Sequence, residues 1–337
     1  MTATIALVLV VALALAFDVT NGFHDSANAI AALVATRAAT PTTALAIASA
    51  GHVLGPLLAG TAVADTVGGV VTLPPDRTVT AVGAAVTAAI VWNLVTWWRG
   101  LPSSSSHALV GGLVGAAVAA GGWSGVRWDG AHHGLPRGVV GVLIGLGLSP
   151  FLGAAAAWIV AGLAARLSRR ARHGLVHGVR RAEWGTAFAL AYSHGANDAQ
   201  KTMGLITLLL VSSGHLAVFA VPFWVKLASG TCLVVGTAMG GWRIVRTLGR
   251  GIYRLRPLDG LVSQGSSAAV IYAAAALGAP VSTTHVVASS IVGTGAARRA
   301  QHVRWSVVEE MASAWIVTLP LSALAGGALF PLWKVVT

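Results

Sequence analysis

Apolar runs long enough to cross a bilayer recur along this chain, and they confine it to one kind of fold. Roughly 20 helical residues cover about 30 Å of hydrocarbon. Runs near that length extend from Thr2 to Phe17, Thr43 to Ala64, Thr78 to Trp98 and Gly138 to Leu167, and they resume after Glu183. Only 9% of the 337 residues are charged, far below the roughly 25% of a soluble domain. The sequence therefore predicts an all-α, polytopic transmembrane helical bundle in the inner or plasma membrane. The first run lacks a basic flank and a small-residue cleavage site, so it reads as a span and not a signal peptide. The single cysteine, Cys232, excludes an intrachain disulfide and a cysteine metal cluster.

The formal charge of +12 is concentrated in two places. Arg166, Arg169, Arg170, Arg172, Arg180 and Arg181 crowd a central segment, and Arg243, Arg246, Arg250, Arg254 and Arg256 crowd a later one. Both read as cytoplasmic under the positive-inside rule, in reach of anionic membrane lipid. Neither carries the interleaved aromatics of a nucleic-acid reader, so nucleic acid is not expected as a partner. The sequence leaves open whether the chain forms a homo-oligomer.

The central cluster divides the chain into a first repeat at 1–165, an Arg-rich loop at 166–182 and a second repeat at 183–337. Two motifs recur in the same order in each half. AFDVTNGFHDSANA, with Asn21, Gly22, His24 and Asp25, faces LAYSHGANDAQKT, with His194, Gly195, Asn197 and Asp198. LPSSSSHALVGGLVG then faces APVSTTHVVASSIVG, pairing Pro102, Ser104, Ser105, Ser106 and His107 with Pro280, Ser282, Thr283, Thr284 and His285. Two spans, Trp184–Ser212 and His215–Gly241, join the two basic clusters. With Arg37 and Arg99 also inside, each half has an odd number of crossings. The expectation is two inverted-topology repeats with re-entrant or broken helices around Pro102 and Pro280.

Asp25 and Asp198 lie between apolar segments, where an isolated carboxylate costs about 3 kcal/mol on insertion scales. Each must be paired, protonated or wet. Gly22 and Gly195 suggest that the backbone opens beside each acid, so that carbonyls join Asp and Asn oxygens around a cation, the oxygen set a hard cation prefers. His24, Asn28, Asn197, Gln200 and Lys201 stand close by as coupling or cation-site residues, with Asp25 and Asp198 as metal ligands. A purely structural role, in which each Asp caps a half-helix or pairs with Lys201 or a histidine, accounts for one motif better than for its repetition. Asp18 carries less weight, because Ala191 stands at its repeat position.

The hydroxyl runs after Pro102 and Pro280 resemble helix N-termini set inside the membrane. Such ends present unpaired N–H groups and positive dipole, and added Ser and Thr hydroxyls make them suited to phosphate or sulfate. Hydroxyls that merely bond neighbouring helices are the plainer reading of one run, and again the duplication favours a site. His107 and His285 read equally as proton relays or as packing. Phosphate bears one to two negative charges near neutrality, and an inside-negative 100 mV opposes entry by about 2.3 kcal/mol per charge. Carboxylates beside such an anion imply a coupling cation as co-substrate (H+, Na+ or a divalent metal) and no resident cofactor.

NGFHDSANA, LPSSSSHALVGG, YSHGANDAQK and PVSTTHV resemble the inorganic phosphate transporter (PiT) family, and particularly its low-affinity PitA-type bacterial branch. The resemblance spans almost the whole chain. It implies an inverted-repeat symporter, not an enzyme, that imports inorganic phosphate with sodium, protons or as neutral metal-phosphate. It also implies phosphate contacts at Ser104, Ser105, Ser106, Ser282, Thr283 and Thr284, and cation or coupling roles at Asp25, Asn28, Asn197 and Asp198. His24 replaces an asparagine of the wider family, which points to protons or metal-phosphate over sodium. A sulfate or other oxyanion permease on the same fold is the main alternative, since hydroxyls and helix ends do not count protons on an anion. A channel would show uptake without saturation or counter-ion coupling. An intramembrane hydrolase needs one nucleophile and one base, whereas the chain has two equal sets and no G-x-S-x-G elbow.

Overall fold

A computed structural model describes residues 3–132, 135–168 and 175–337. Twelve α-helices account for most of them: α1 Ala3–Ala35, α2 Pro41–Leu58, α3 Ala62–Gly68, α4 Pro75–Arg99, α5 Ser105–Gly121, α6 Gly138–Ser168, α7 Leu175–Ser212, α8 Phe223–Met239, α9 Trp242–Arg246, α10 Pro257–Ala276, α11 Thr283–Arg299 and α12 Trp305–Val336. A two-residue antiparallel ladder, Ala131–His132 with Leu135–Pro136, is the sole sheet among the described residues. By length and hydropathy α1, α2, α4, α6 and α12 qualify as membrane spans. α8 and the segment after it form a sixth if counted as one span bent by 63°. α7 does not qualify, because its polar motif dilutes an otherwise apolar helix.

The helices depart from the apolar runs in instructive ways. The run at Thr43 to Ala64 is split: Thr40 accepts the Thr43 N–H and Pro41 begins α2, which ends at Leu58 before α3 starts at Ala62. The stretch expected as a span from His215 is helical only from Phe223 to Met239, with Gly240 at a φ of 69° where the chain turns. Pro222, at the N-cap, fixes that start, since proline is favoured where no intrahelical N–H is needed. The central segment at 166–182 is also more helical than a loop. Arg166 lies on the last turn of α6, while Arg180 and Arg181 lie on α7. Arg169, Arg170 and Arg172 lie outside the described residues.

The largest correction concerns Gly22 and Gly195. Both lie in unbroken helix, α1 and α7 running straight through their acidic motifs. The reason is burial: residues 20–33 of α1 are sealed among other helices, so helical hydrogen bonds stay the cheapest way to satisfy the backbone. The glycines instead permit contact between backbones. A Cβ at Gly22 would meet Leu233 O at 2.2 Å, and one at Gly195 would meet His52 O at 3.0 Å.

Packing is reciprocal between the halves. α1 lies on α8 and α4, as α7 lies on α2 and α10; α5 lies on α12, as α11 lies on α6. Polarity is inverted relative to a soluble protein. Asp18, Asn21, His24, Asp25, His194, Asn197, Asp198 and Lys201 are buried, while Phe151, Trp158, Ile316 and Leu324 are exposed on α6 and α12. Exposed apolar side chains on long helices suit hydrocarbon, and His24, Asp25, His194, Asp198 and Lys201 among the buried polar ones meet at one centre.

Candidate functional site

Two short helices start at that centre. Pro102 and Pro280 precede α5 and α11, each 17 residues long, and a serine caps both in the same way. Ser104 Oγ accepts the His107 N–H at 3.2 Å, and Ser282 Oγ accepts the His285 N–H at 3.2 Å. One capping side chain satisfies one orphan donor, so the N–H groups of the following residues, Ser105, Ser106, Thr283 and Thr284, have no intrahelical carbonyl to bond. The two ends are adjacent: Ser106 Oγ donates to Val281 O at 3.3 Å, and Lys201 Nζ donates to both Ser106 Oγ at 2.5 Å and Val281 O at 3.0 Å.

The carboxylates stand against these ends, and the halves are cross-linked through them. Asp25 Oδ2 accepts from Ser105 Oγ at 3.3 Å within its own half, and Oδ1 accepts from Thr284 Oγ1 at 3.1 Å across the halves. Asn28 Nδ2 donates to the same Thr284 hydroxyl at 3.1 Å. Asp198 Oδ2 accepts from Thr283 Oγ1 at 2.8 Å, and Oδ1 accepts from Lys201 Nζ. All of these side chains are 3% exposed or less. Ser105, Thr283 and Thr284, expected to bind an anion, thus hand their hydrogens to the two acids.

Histidines complete the cluster. His24 Nδ1 lies 2.6 Å from Asp25 Oδ1, with its Nε2 3.1 Å from Thr96 Oγ1. His194 Nε2 sits between the acids, 2.8 Å from Asp198 Oδ2 and 3.9 Å from Asp25 Oδ2. Nε2 thus makes close ion-pair contact with Asp198 without a hydrogen bond that meets strict geometry. Its other nitrogen is fixed, Nδ1 lying 2.8 Å from His52 Nε2, and His52 Nδ1 lying 2.7 Å from Thr237 Oγ1. One ligand atom each from Asp25, His194 and Asp198 fall within 4.8 Å of one another. Two carboxylate oxygens and an imidazole nitrogen held by a partner behind it are a donor set that suits a divalent metal.

Two of the expected residues donate amide hydrogens to backbone carbonyls and not to the acids. Gln200 Oε1 accepts the Val63 N–H at 2.9 Å, and its Nε2 donates to Ala196 O at 2.6 Å, so its amide caps α3. Asn197 Nδ2 donates to Ala279 O at 3.3 Å, bracing the chain just before Pro280. Gln200→Ala is therefore expected to lower stability by about 1 kcal/mol, as for a lost cap, and to leave the half-saturating substrate concentration unchanged. Thermal unfolding in detergent and saturation kinetics of uptake check both halves of that statement. His107 and His285 pack as tilted rings 4.6 Å apart, with His285 stacked on Trp315 at 4.1 Å.

The residues that sequence reasoning missed are His52 and, in part, Asp18. His52 lies in an apolar run without motif or repeat partner, so nothing marked it. Asp18, given less weight because the repeat does not reproduce it, is fully buried and accepts from Thr202 Oγ1 at 2.6 Å.

The phosphate transporter family model matches residues 21–180 and again 168–326, one match per half. A probable low-affinity inorganic phosphate transporter of Rhizobium meliloti (strain 1021) is 41% identical over 328 residues, which is 96% of this chain and 96% of that protein. Its namesake in Bacillus subtilis (strain 168) is 38% identical over 327 residues, with the same shares of both chains. Another from Mycobacterium bovis is 41% identical over 332 residues, covering 97% of this chain and 77% of that one. A solved structure, the sodium-dependent phosphate transporter, superposes with a TM-score of 0.87 at 23% identity, covering 98% of this chain and all of its own. At that identity it is a likeness of fold.

Proposed function

Since the chain belongs to the phosphate transporter family, we propose that it imports inorganic phosphate across the cell membrane as a secondary symporter. The observation that carries this reading is the convergence of two serine-capped helix N-termini, one per half, on Lys201 and the Asp25 and Asp198 carboxylates. Helix ends supply partial positive charge and N–H donors to an anion. Lys201 adds a full positive charge, and the hydroxyls of Ser105, Ser106, Thr283 and Thr284 add donors, with Ser104 and Ser282 holding the ends in place as caps.

Phosphate and the two acids compete for the same hydroxyl hydrogens, and the like charges repel. A cation on the acids removes both obstacles, because a neutralised carboxylate releases Ser105, Thr283 and Thr284 to turn toward the anion. The Asp25, His194 and Asp198 donor set supports a divalent metal carried with phosphate as part of the cargo, with His24 holding Asp25 directly and Asn28 holding the Thr284 hydroxyl that bonds it. The duplicated helix order and reciprocal packing support two copies of opposite orientation that rock about this centre, the usual basis of alternating access.

The test is uptake of labelled phosphate into proteoliposomes, with pH, sodium and magnesium varied one at a time and sulfate added as competitor. Saturable uptake that rises with an imposed cation gradient and resists excess sulfate is the expected result. Uptake indifferent to all three ions would overturn symport, and equal competition by sulfate would reassign the protein as a general oxyanion permease.

A further inference from the structure

Resting on the phosphate symport reading, we propose that Asp18 is the proton carrier of this protein, a carboxyl that loads and unloads one coupling proton beside the anion site.

Every other acid at the buried centre has a basic partner. Asp25 has His24, and Asp198 has Lys201 and His194. Asp18 has none. It is 0% exposed in the middle of α1. Its Oδ1 accepts from Thr202 Oγ1 at 2.6 Å, and Oδ2 has no hydrogen-bond partner among the described residues. The other hydroxyl facing it is Ser229 on α8, whose Oγ is also buried without a partner. The titratable groups that face Asp18 are Asp198 on α7 and Cys232 on α8, neither of them a base. Lys201 is committed elsewhere, to Asp198, Ser106 and Val281.

A carboxylate in such a place has desolvation to oppose its charge and only neutral hydroxyls to support it, whereas a carboxylic acid fits. One proton settles the geometry, because a hydroxyl on Oδ2 donates toward Ser229 Oγ while Oδ1 keeps the Thr202 bond. The side chains of Asp18, Thr202 and Ser229 offer four oxygens, short of the six or more that a hard metal ion collects. The position also couples. Asp18 faces Asp198 and is bonded to Thr202 on the same helix, α7, so its ionisation adds a second negative charge to the acid that holds Lys201 at the two helix ends. Phosphate binding is then favoured when Asp18 carries its proton, and the two leave together on the side where the acid ionises.

Asp18→Asn keeps the size and the acceptor for Thr202 but can neither lose nor gain the proton. In proteoliposomes at equal pH on both sides, this variant should still exchange internal for external labelled phosphate. When the outside is made one pH unit more acid, each coupled proton supports about tenfold accumulation. Wild type and Asp18→Glu should show this accumulation, and Asp18→Asn should show none. Accumulation by Asp18→Asn that follows the pH gradient as in wild type would overturn the proposal. So would loss of exchange in an Asp18→Asn protein that elutes and melts as wild type does, which would make Asp18 a part of the phosphate site. Wild type that exchanges phosphate but answers to a sodium gradient and not to pH would sink the proton while sparing phosphate transport. Wild type that neither exchanges nor accumulates phosphate would sink both.

Discussion

Asp198→Asn is expected to abolish phosphate accumulation and, unlike Asp25→Asn, to destabilise the protein as well. The difference lies in what each acid compensates. Asp25 is faced by two imidazoles, His24 and His194, and by no ammonium or guanidinium among the described residues, so an amide at position 25 strands no permanent charge. Asp198 is bonded to Lys201, an ammonium 2% exposed with only Ser106 and Val281 O left to support it. Removing one partner of a buried ion pair costs about 3–5 kcal/mol, a large part of the 5–15 kcal/mol that typically separates folded from unfolded protein. Asp198→Asn should therefore be less abundant in the membrane and melt lower in detergent. The double variant Asp198→Asn/Lys201→Gln should recover most of the abundance and none of the transport, because the stranded charge is gone but the cation end of the site is not restored. Asp25→Asn should reach the membrane at wild-type abundance without transporting. Transport retained by Asp198→Asn, or a double variant no more stable than the single, would show that the pair is neither functional nor compensating.

Gly22→Val is expected to be the most damaging substitution outside the polar centre. α1 and α8 touch backbone to backbone there: a Cβ at Gly22 would lie 2.2 Å from Leu233 O and 3.0 Å from Gly236 Cα, and one at Gly236 would lie 2.0 Å from Val19 O. Backbone atoms cannot swing aside like a long side chain, so the helices must separate. Overpacking usually costs about 1–3 kcal/mol, and a valine at this contact falls at the upper end or beyond. The functional loss follows from position, since Asp18 and Asp25 sit on α1 to either side of Gly22. Gly185→Val on α7, where an added Cβ meets nothing within 4 Å, is the control. Comparison of membrane abundance, melting in detergent and phosphate uptake decides it, and wild-type behaviour of Gly22→Val would refute the close contact.

Much of the candidate site was legible because its residue types contradict their surroundings. Acids, amides and hydroxyl runs within apolar sequence are costly, and their repetition in register made a structural accident a poor explanation. That argument reached Asp25, Asp198, Lys201, Asn28 and the six hydroxyl residues. It also misled at Gly22 and Gly195, where glycine suggested a broken backbone. Glycine marks any place where a side chain does not fit, and a close helix contact is as good a cause as a bend. The repeat argument also gave little weight to Asp18, whose burial and single hydroxyl partner only the structure displays, because a residue present in one half alone leaves no echo in the other.

The sequence by itself determined that this chain is a membrane-embedded helical bundle of two related halves, and which residues had to be sheltered from lipid. Hydrophobicity and repetition are additive properties of the chain, readable without knowing who meets whom. Only the tertiary structure decided that Asp25 meets Thr284 across 259 positions and Ser106 meets Lys201 across 95, that Gln200 serves α3, and that Asp18 lacks a counter-charge. Partnership depends on how helices distant in sequence come to lie side by side, and the energy of a buried charge is set by its partners.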